Sequence, residues 1–302
     1  MKTPASLVIA AIMLSACASA SSAPPSDQDQ IEAWRPIIKG ARLHHVHLNV
    51  TDRREAIAYY LKHVDARAET FAGTEDAVWV QRSWLLFNEV KEKPPSSAGT
   101  GINHMGWGAP DPRAEFARQK ALGATFDPEI KDIGVGLGGP TAKDFSFMYI
   151  IGPNGEIIEL NTDEDDNFGH IHFYNRQPHT ASGWYGNIFG LVESDPVFPG
   201  HAAHYGIGDR MSRRHFGNVN TIFSLDRSEG EIKPTSGTVI DHIGISVPNL
   251  DAAMAAIEPY NITVLAPPAT GGPGWRHAFI EGPDRVAIEL IEDHTPQPKI
   301  TD

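Results

Sequence analysis

Apolar and polar positions follow two spacings along this chain, and the switch between them recurs four times. From Leu43 to Val50, the apolar residues Val46, Leu48 and Val50 interleave with His45, His47 and Asn49, the two-residue period of a half-buried strand. Ala56, Ile57, Tyr60, Leu61 and Val64 then recur at helical spacing behind a capping Thr51 or Asp52, with short strands expected at Ala77–Gln81 and Trp84–Phe87. A second unit opens at Ile102, begins a helix at Asp111-Pro112 with Phe116 inward, and ends it at Gly123. Its closing strands, Phe145–Ile151 and Glu156–Asn161, flank a Gly-Pro-Asn-Gly turn. The third opens at Gly169 and carries a helix through Ala181, Trp184, Tyr185, Ile188 and Phe189 that stops at Gly190. The fourth opens at Val239, has Asn249 capping Leu250, Met254 and Ile257, and ends in Ala278–Ile280 and Val286–Ile291. Units this small cannot bury both faces of a sheet alone, so they are expected to share cores in pairs.

The polar residues repeat with the pattern. His45-Val46-His47 is followed by His104-Met105-Gly106 and by a strand ending Ile158-Glu159-Leu160; His170-Ile171-His172 is followed by His242-Ile243-Gly244 and by Ile288-Glu289-Leu290. Each glutamate has neighbours that point to the opposite face of its strand, so both face inward, where an unpaired carboxylate costs several kcal/mol. Two imidazoles and a carboxylate with coordination positions left over are the ligand set of a mononuclear metal centre, most typically Fe(II), with Mn(II) and Zn(II) as alternatives. In chain order this gives His45, His104 and Glu159 for one metal and His170, His242 and Glu289 for another. His47 and His172 share the face of His45 and His170 and are candidate acid/base groups, extra ligands or substrate contacts. Gly106 and Gly244 would leave space for a ligand.

This pattern of a His on the first strand and Gly-Pro-turn-Ile-Glu-Leu on the last resembles the vicinal oxygen chelate (VOC) superfamily, which includes glyoxalase I, extradiol dioxygenases and bleomycin-resistance proteins. The resemblance covers about residues 42–293. It implies an α+β fold of four βαβββ modules paired into two half-open barrels: residues 42–165 as one domain (modules 1 and 2) and 166–295 as another (modules 3 and 4). It also implies a metal-bound small organic substrate with vicinal oxygens. The strands Trp84–Asn88 and Thr221–Leu225 carry no Glu or Gln at the place where a glyoxalase centre has its second carboxylate or amide, with Glu89 one residue away. That favours an extradiol-type dioxygenase over a glyoxalase-like lyase or isomerase, with a non-catalytic binding protein as the third reading. The run Met148-Tyr149 to Glu159 is similar to the extradiol signature, making Tyr149 a candidate catalytic residue; Phe279 replaces it in the second half. His277 and the group His201, His204 and Tyr205 have no role assigned by the pattern.

The remaining composition narrows the setting. The net charge of −13 provides no phosphate-neutralising surplus and argues against nucleic acid. Lys2 and the apolar stretch Leu7–Leu14 read as a signal segment (residues 1–16). It ends in Leu14-Ser15-Ala16-Cys17, which resembles the bacterial lipobox, and Cys17 is the only cysteine. The expectation is a lipid anchor through Cys17 at the periplasmic side of the outer membrane, followed by a flexible tether over 17–41; an exported soluble protein is the alternative. The glycines from Gly134 to Gly139 follow no clear strand and open no helix, so a loop is expected there rather than a nucleotide site.

Overall fold

The computed structural model describes residues 36–127, 131–132, 146–162, 167–193, 211–216 and 219–299. The signal segment with Cys17, the Gly134–Gly139 loop, Asp163–Asp166 and the His201, His204 and Tyr205 group lie outside the described residues. Among the described residues, no helix is long and apolar enough to cross a membrane.

The four modules are present in the expected order. Module 1 comprises β1 (Arg42–Val50), α1 (Arg53–His63), β2 (Arg67–Phe71), β3 (Glu75–Val80) and β4 (Ser83–Glu89). Module 2 comprises β5 (Ile102–Gly108), α2 (Pro112–Ala121), β6 (Thr125–Phe126), β7 (Lys131–Asp132), β8 (Ser146–Ile151) and β9 (Ile157–Asn161). Module 3 comprises β10 (Phe168–Asn175), α3 (Pro178–Phe189), β11 (Val192–Glu193), β12 (Met211–Phe216) and β13 (Val219–Leu225). Module 4 comprises β14 (Ile240–Ser246), α4 (Leu250–Ile257), β15 (Val264–Gly272), β16 (Trp275–Glu281) and β17 (Ala287–Asp293).

Local chemistry fixes the helix ends. Asp52, Asp111 and Asn249 accept from the backbone N–H groups of Glu55, Ala114 and Ala252, caps worth about 1 kcal/mol each. Gly190 ends α3 in the left-handed conformation. Two inward assignments differ from the expected stripes. In α1 the buried residues are Ala56, Tyr60 and His63, while Leu61 is exposed. In α2 the buried side chain is Gln119, which hydrogen-bonds His63 across the two helices. The edge strand β15 was not expected because Pro267 and Pro268 interrupt it; it bulges between Ala266 and Ala269 and lies on the sheet's rim, where missing N–H donors are tolerated.

The pairing of modules differs from the chain-order expectation. One sheet runs β15-β16-β17-β14-β1-β4-β3-β2 and the other β11-β12-β13-β10-β5-β9-β8-β6, with β7 on β8. Module 1 therefore joins module 4, and module 2 joins module 3. The halves 42–165 and 166–295 are not separate barrels, and residues from Arg35 onward form one unit. Each barrel is closed by an antiparallel pairing of first strands, β1 with β14 and β10 with β5. All four modules offer a similar first strand, so sequence similarity does not choose the partner. The helix side of the first sheet buries Val46, Leu48, Leu85, Phe87 and Tyr60, each contributing about 1.5–3 kcal/mol of burial free energy. The strand period leaves His45, His47, Trp84 and Leu86 on the concave side.

Two candidate metal centres

The cross-pairing brings together a different set of histidines from the one chain order suggests. His45, His47, His242 and Glu289 form one group, and His104, Glu159, His170 and His172 the other; within each, one ligand atom per residue lies within 4.8 Å of the rest. The grouping of His45 with His104 and Glu159, and of His170 with His242 and Glu289, is thus corrected. In antiparallel register His47 faces His242 and His172 faces His104, so each centre takes a first-strand histidine from two different halves of the chain. The glutamates enter from the parallel neighbours, Glu289 beside Gly244 and Glu159 beside Gly106.

The same register gives the glycines another role. They do not leave space for a ligand: His45 lies opposite Gly244 and His170 opposite Gly106, and each imidazole occupies the glycine's missing side-chain volume. A Cβ on Gly244 would stand 2.0 Å from the His45 ring, and one on Gly106 would stand 1.9 Å from that of His170.

In the first centre, His45 Nε2 is 3.1 Å and His242 Nε2 is 3.2 Å from Glu289 Oε2. His242 Nδ1 donates to Asp241 at 2.6 Å, and His277 Nδ1 lies 2.5 Å from the other Glu289 oxygen. His277, without a role in the sequence pattern, is thus a partner of the carboxylate; its place two residues from Phe279 on β16, beside the Glu289 strand, was the available signal. In the second centre, His104 Nε2 is 3.0 Å and His170 Nε2 is 3.7 Å from Glu159. Asn103 accepts from His104 Nδ1 at 2.7 Å, and Asn161 donates to Glu159 at 2.9 Å. Tyr149, opposite Glu159 on β8, hydrogen-bonds its carboxylate, and His172 Nε2 contacts Ser224 Oγ at 2.7 Å.

The donor set fits a divalent cation. His45 Nε2, both nitrogens of His47 and Nδ1 of His172 are buried without a hydrogen-bond partner, His45 Nε2 despite its closeness to Glu289. Burial, only partly offset by Glu289 or Glu159, depresses the pKa of His45 and of His170 to about 4, so both are neutral near pH 7 with lone pairs available. Burial works against ionisation of both glutamates, but hydrogen bonds from His242 and from His104 hold Glu289 and Glu159 well below the ordinary carboxylate value. The clusters can therefore chelate a divalent metal with deprotonated ligands.

His242 is the exception. Burial lowers its pKa, but hydrogen bonds to Asp241 and Glu289 outweigh that and carry it from 6.5 to about 9. A raised histidine pKa stabilises the metal-free fold fully below 6.5, and that contribution is lost as pH rises through about 9. A metal bound at His242 Nε2 must displace this proton. Binding at the first centre is expected to release close to one proton at pH 7, with apparent affinity rising about tenfold per pH unit towards 9. Calorimetry in buffers of different ionisation enthalpy measures the release, and pH-independent binding would contradict it.

A cavity of about 190 Å³ opens beside the first centre, lined by His47, His242, Asn49, Asn88 and Arg53 among others. The positions on β4 and β13 in register with the first-strand histidines hold Trp84 and Leu86 in one barrel and Asn220 and Ile222 in the other. Glu89 pairs with Val50 on the opposite face and is exposed, so it supplies no ligand.

Two solved structures share this architecture. Glyoxalase I from Zea mays aligns with a TM-score of 0.60 at 15% identity, over 84% of this chain and 92% of that one. A putative dioxygenase from Bacillus subtilis aligns with a TM-score of 0.58 at 12% identity, over 86% of each chain. The chain has the fold of these two proteins. At these identities the likeness establishes the fold alone and leaves the reaction to the residues. No family model and no curated protein matches the sequence.

Proposed function

We propose that the protein is a metal-dependent VOC-fold enzyme of the extradiol dioxygenase type, acting on a small organic substrate with two adjacent oxygens. The observation that carries this reading is the ligand count. Three histidines and one glutamate converge in each barrel, and β4 and β13 place no carboxylate in register with them; with two of the histidines and the glutamate as ligands, positions are left for both substrate oxygens. His45, His242 and Glu289 would hold one metal, and His104, His170 and Glu159 the other. Fe(II) suits this donor set best, with Mn(II) and Zn(II) as alternatives, and the bound metal would supply Lewis-acid polarisation and O₂ activation.

The chain's own groups would handle protons and orientation. His47 stacks obliquely on His242 with ring centroids 4.5 Å apart and has two unpaired nitrogens beside the cavity; burial lowers its pKa well below 6.5, so it stays neutral and can accept a hydrogen bond from a substrate hydroxyl. His172, held at Nε2 by Ser224, is its counterpart. Tyr149 stays protonated, since burial and Glu159 push its pKa well up, and its hydroxyl fixes Glu159. Phe279 cannot do this for Glu289, and His277 takes that task instead.

Fe(II)-loaded protein given catechol-type substrates under O₂ is expected to consume one O₂ per ring opened. His242→Ala and His104→Ala should report which centre works. No uptake with any catechol would remove the dioxygenase reading. The rival is a glyoxalase-like lyase, which the closeness of His47 and His172 to the other ligand atoms favours if each serves as a fourth ligand; X-ray absorption would then count three imidazoles per metal rather than two.

Anchoring through Cys17 completes the proposal, with the protein at the periplasmic side of the outer membrane. Cys17→Ser is expected to move the protein from the membrane fraction to the soluble one. A mature N-terminus beyond Cys17 without acyl chains would rule the anchor out.

A further inference from the structure

The first centre has a neighbour that the second lacks. His44, one residue before His45, is buried by the bulge in β1 rather than turned to the helix face. Its Nδ1 lies 2.8 Å from His45 Nδ1, and its Nε2 lies 3.2 Å from Asp293 Oδ2 at the end of β17. The His44 and Asp293 side chains are only 6% and 2% exposed. Asp293 is held in turn by the Thr295 backbone N–H and by Gln297, whose amide oxygen accepts from Trp84 Nε1. In the second centre the residue before His170 is Gly169, which has no side chain to repeat the contact.

We infer that His44 and Asp293 are positioning residues that fix the tautomer and ring orientation of His45 for metal capture in the first centre alone. With both imidazoles neutral, one hydrogen-bond assignment meets every constraint. A carboxylate accepts only, so His44 Nε2–H donates to Asp293. His44 Nδ1 is then bare and accepts from His45 Nδ1–H, which leaves His45 Nε2 bare beside Glu289 and His242. This is the arrangement by which metal-binding histidines are oriented through their other nitrogen, here extended by one imidazole. A buried histidine–aspartate pair is costly to keep unless its hydrogen bonds are all made, and here they are.

The inference rests on His45 being a ligand, and the test separates the two. The full-length protein is stripped of metal and titrated with Co(II), following its visible bands. A Glu159→Ala background leaves only the first centre, and a Glu289→Ala background only the second. In the first background, His44→Phe and Asp293→Asn should weaken Co(II) binding about 10–100-fold. His44→Gln, whose amide can accept from His45 and donate to Asp293, should recover binding to within about threefold of the parent protein. In the second background all three should bind like their parent. Unchanged affinity in His44→Phe, or equal weakening at both centres, would overturn the inference. If Glu159→Ala protein binds no Co(II) at all, the ligand assignment itself fails.

Discussion

Glu289→Ala is expected to empty the first centre while the second keeps its metal, and Glu159→Ala to do the reverse. The glutamate is the only anionic member of each group and the point on which both imidazoles converge, with Nε2 atoms 3.0–3.7 Å away. Its loss removes a ligand and the charge that offsets the cation, so affinity should fall by on the order of 100-fold or more, beyond what loss of a supporting hydrogen bond costs. Metal content measured after purification without chelators should drop from two ions to one per chain. Histidine substitutions test the grouping: His45→Ala should empty the same centre as Glu289→Ala, and His104→Ala the same centre as Glu159→Ala. Full metal content in both glutamate variants would sink the assignment. If His104→Ala instead empties the centre that Glu289→Ala does, the cross-paired barrels are wrong.

The other large effect should come from adding one carbon. Gly244→Ala places a methyl 2.0 Å from the His45 ring, and Gly106→Ala places one 1.9 Å from that of His170. Neither backbone can retreat easily, because β14 is held by β1 and β17, and β5 by β10 and β9. The imidazole must therefore leave its position, and with it the aim of Nε2. Each substitution should destabilise the fold by about 1–3 kcal/mol through overpacking and cost its own centre its metal. Gly244→Ala combined with His45→Ala should regain most of that stability without regaining metal, since the clash goes but the ligand is absent; such non-additivity is the mark of direct contact. Thermal melts and metal analysis check both parts. Wild-type stability and metal content in Gly244→Ala would show that the ring does not fill the glycine's place.

Much of this protein is determined locally, and that part can be read from the sequence. Alternation at Leu43–Val50 puts histidines on one face because side chains in a strand alternate. Asp52, Asp111 and Asn249 cap helices because a short polar side chain satisfies the first free N–H groups. The fourfold repeat predicts units that share cores in pairs, its resemblance to the VOC superfamily implies how they are arranged, and it singles out all six candidate ligands together with His47 and His172. Which ligands meet is another matter. The first strands of the four modules are near-equivalents, so only tertiary packing decides that β1 joins β14 and β5 joins β10, and with that choice His242 rather than His104 becomes the neighbour of His45. The function of Gly106 and Gly244 depended on the same choice, because a glycine's purpose lies in what crosses it. Likewise His277 reaches Glu289, and His44 turns through a bulge to reach Asp293, by contacts between strands far apart in the chain that no local spacing encodes.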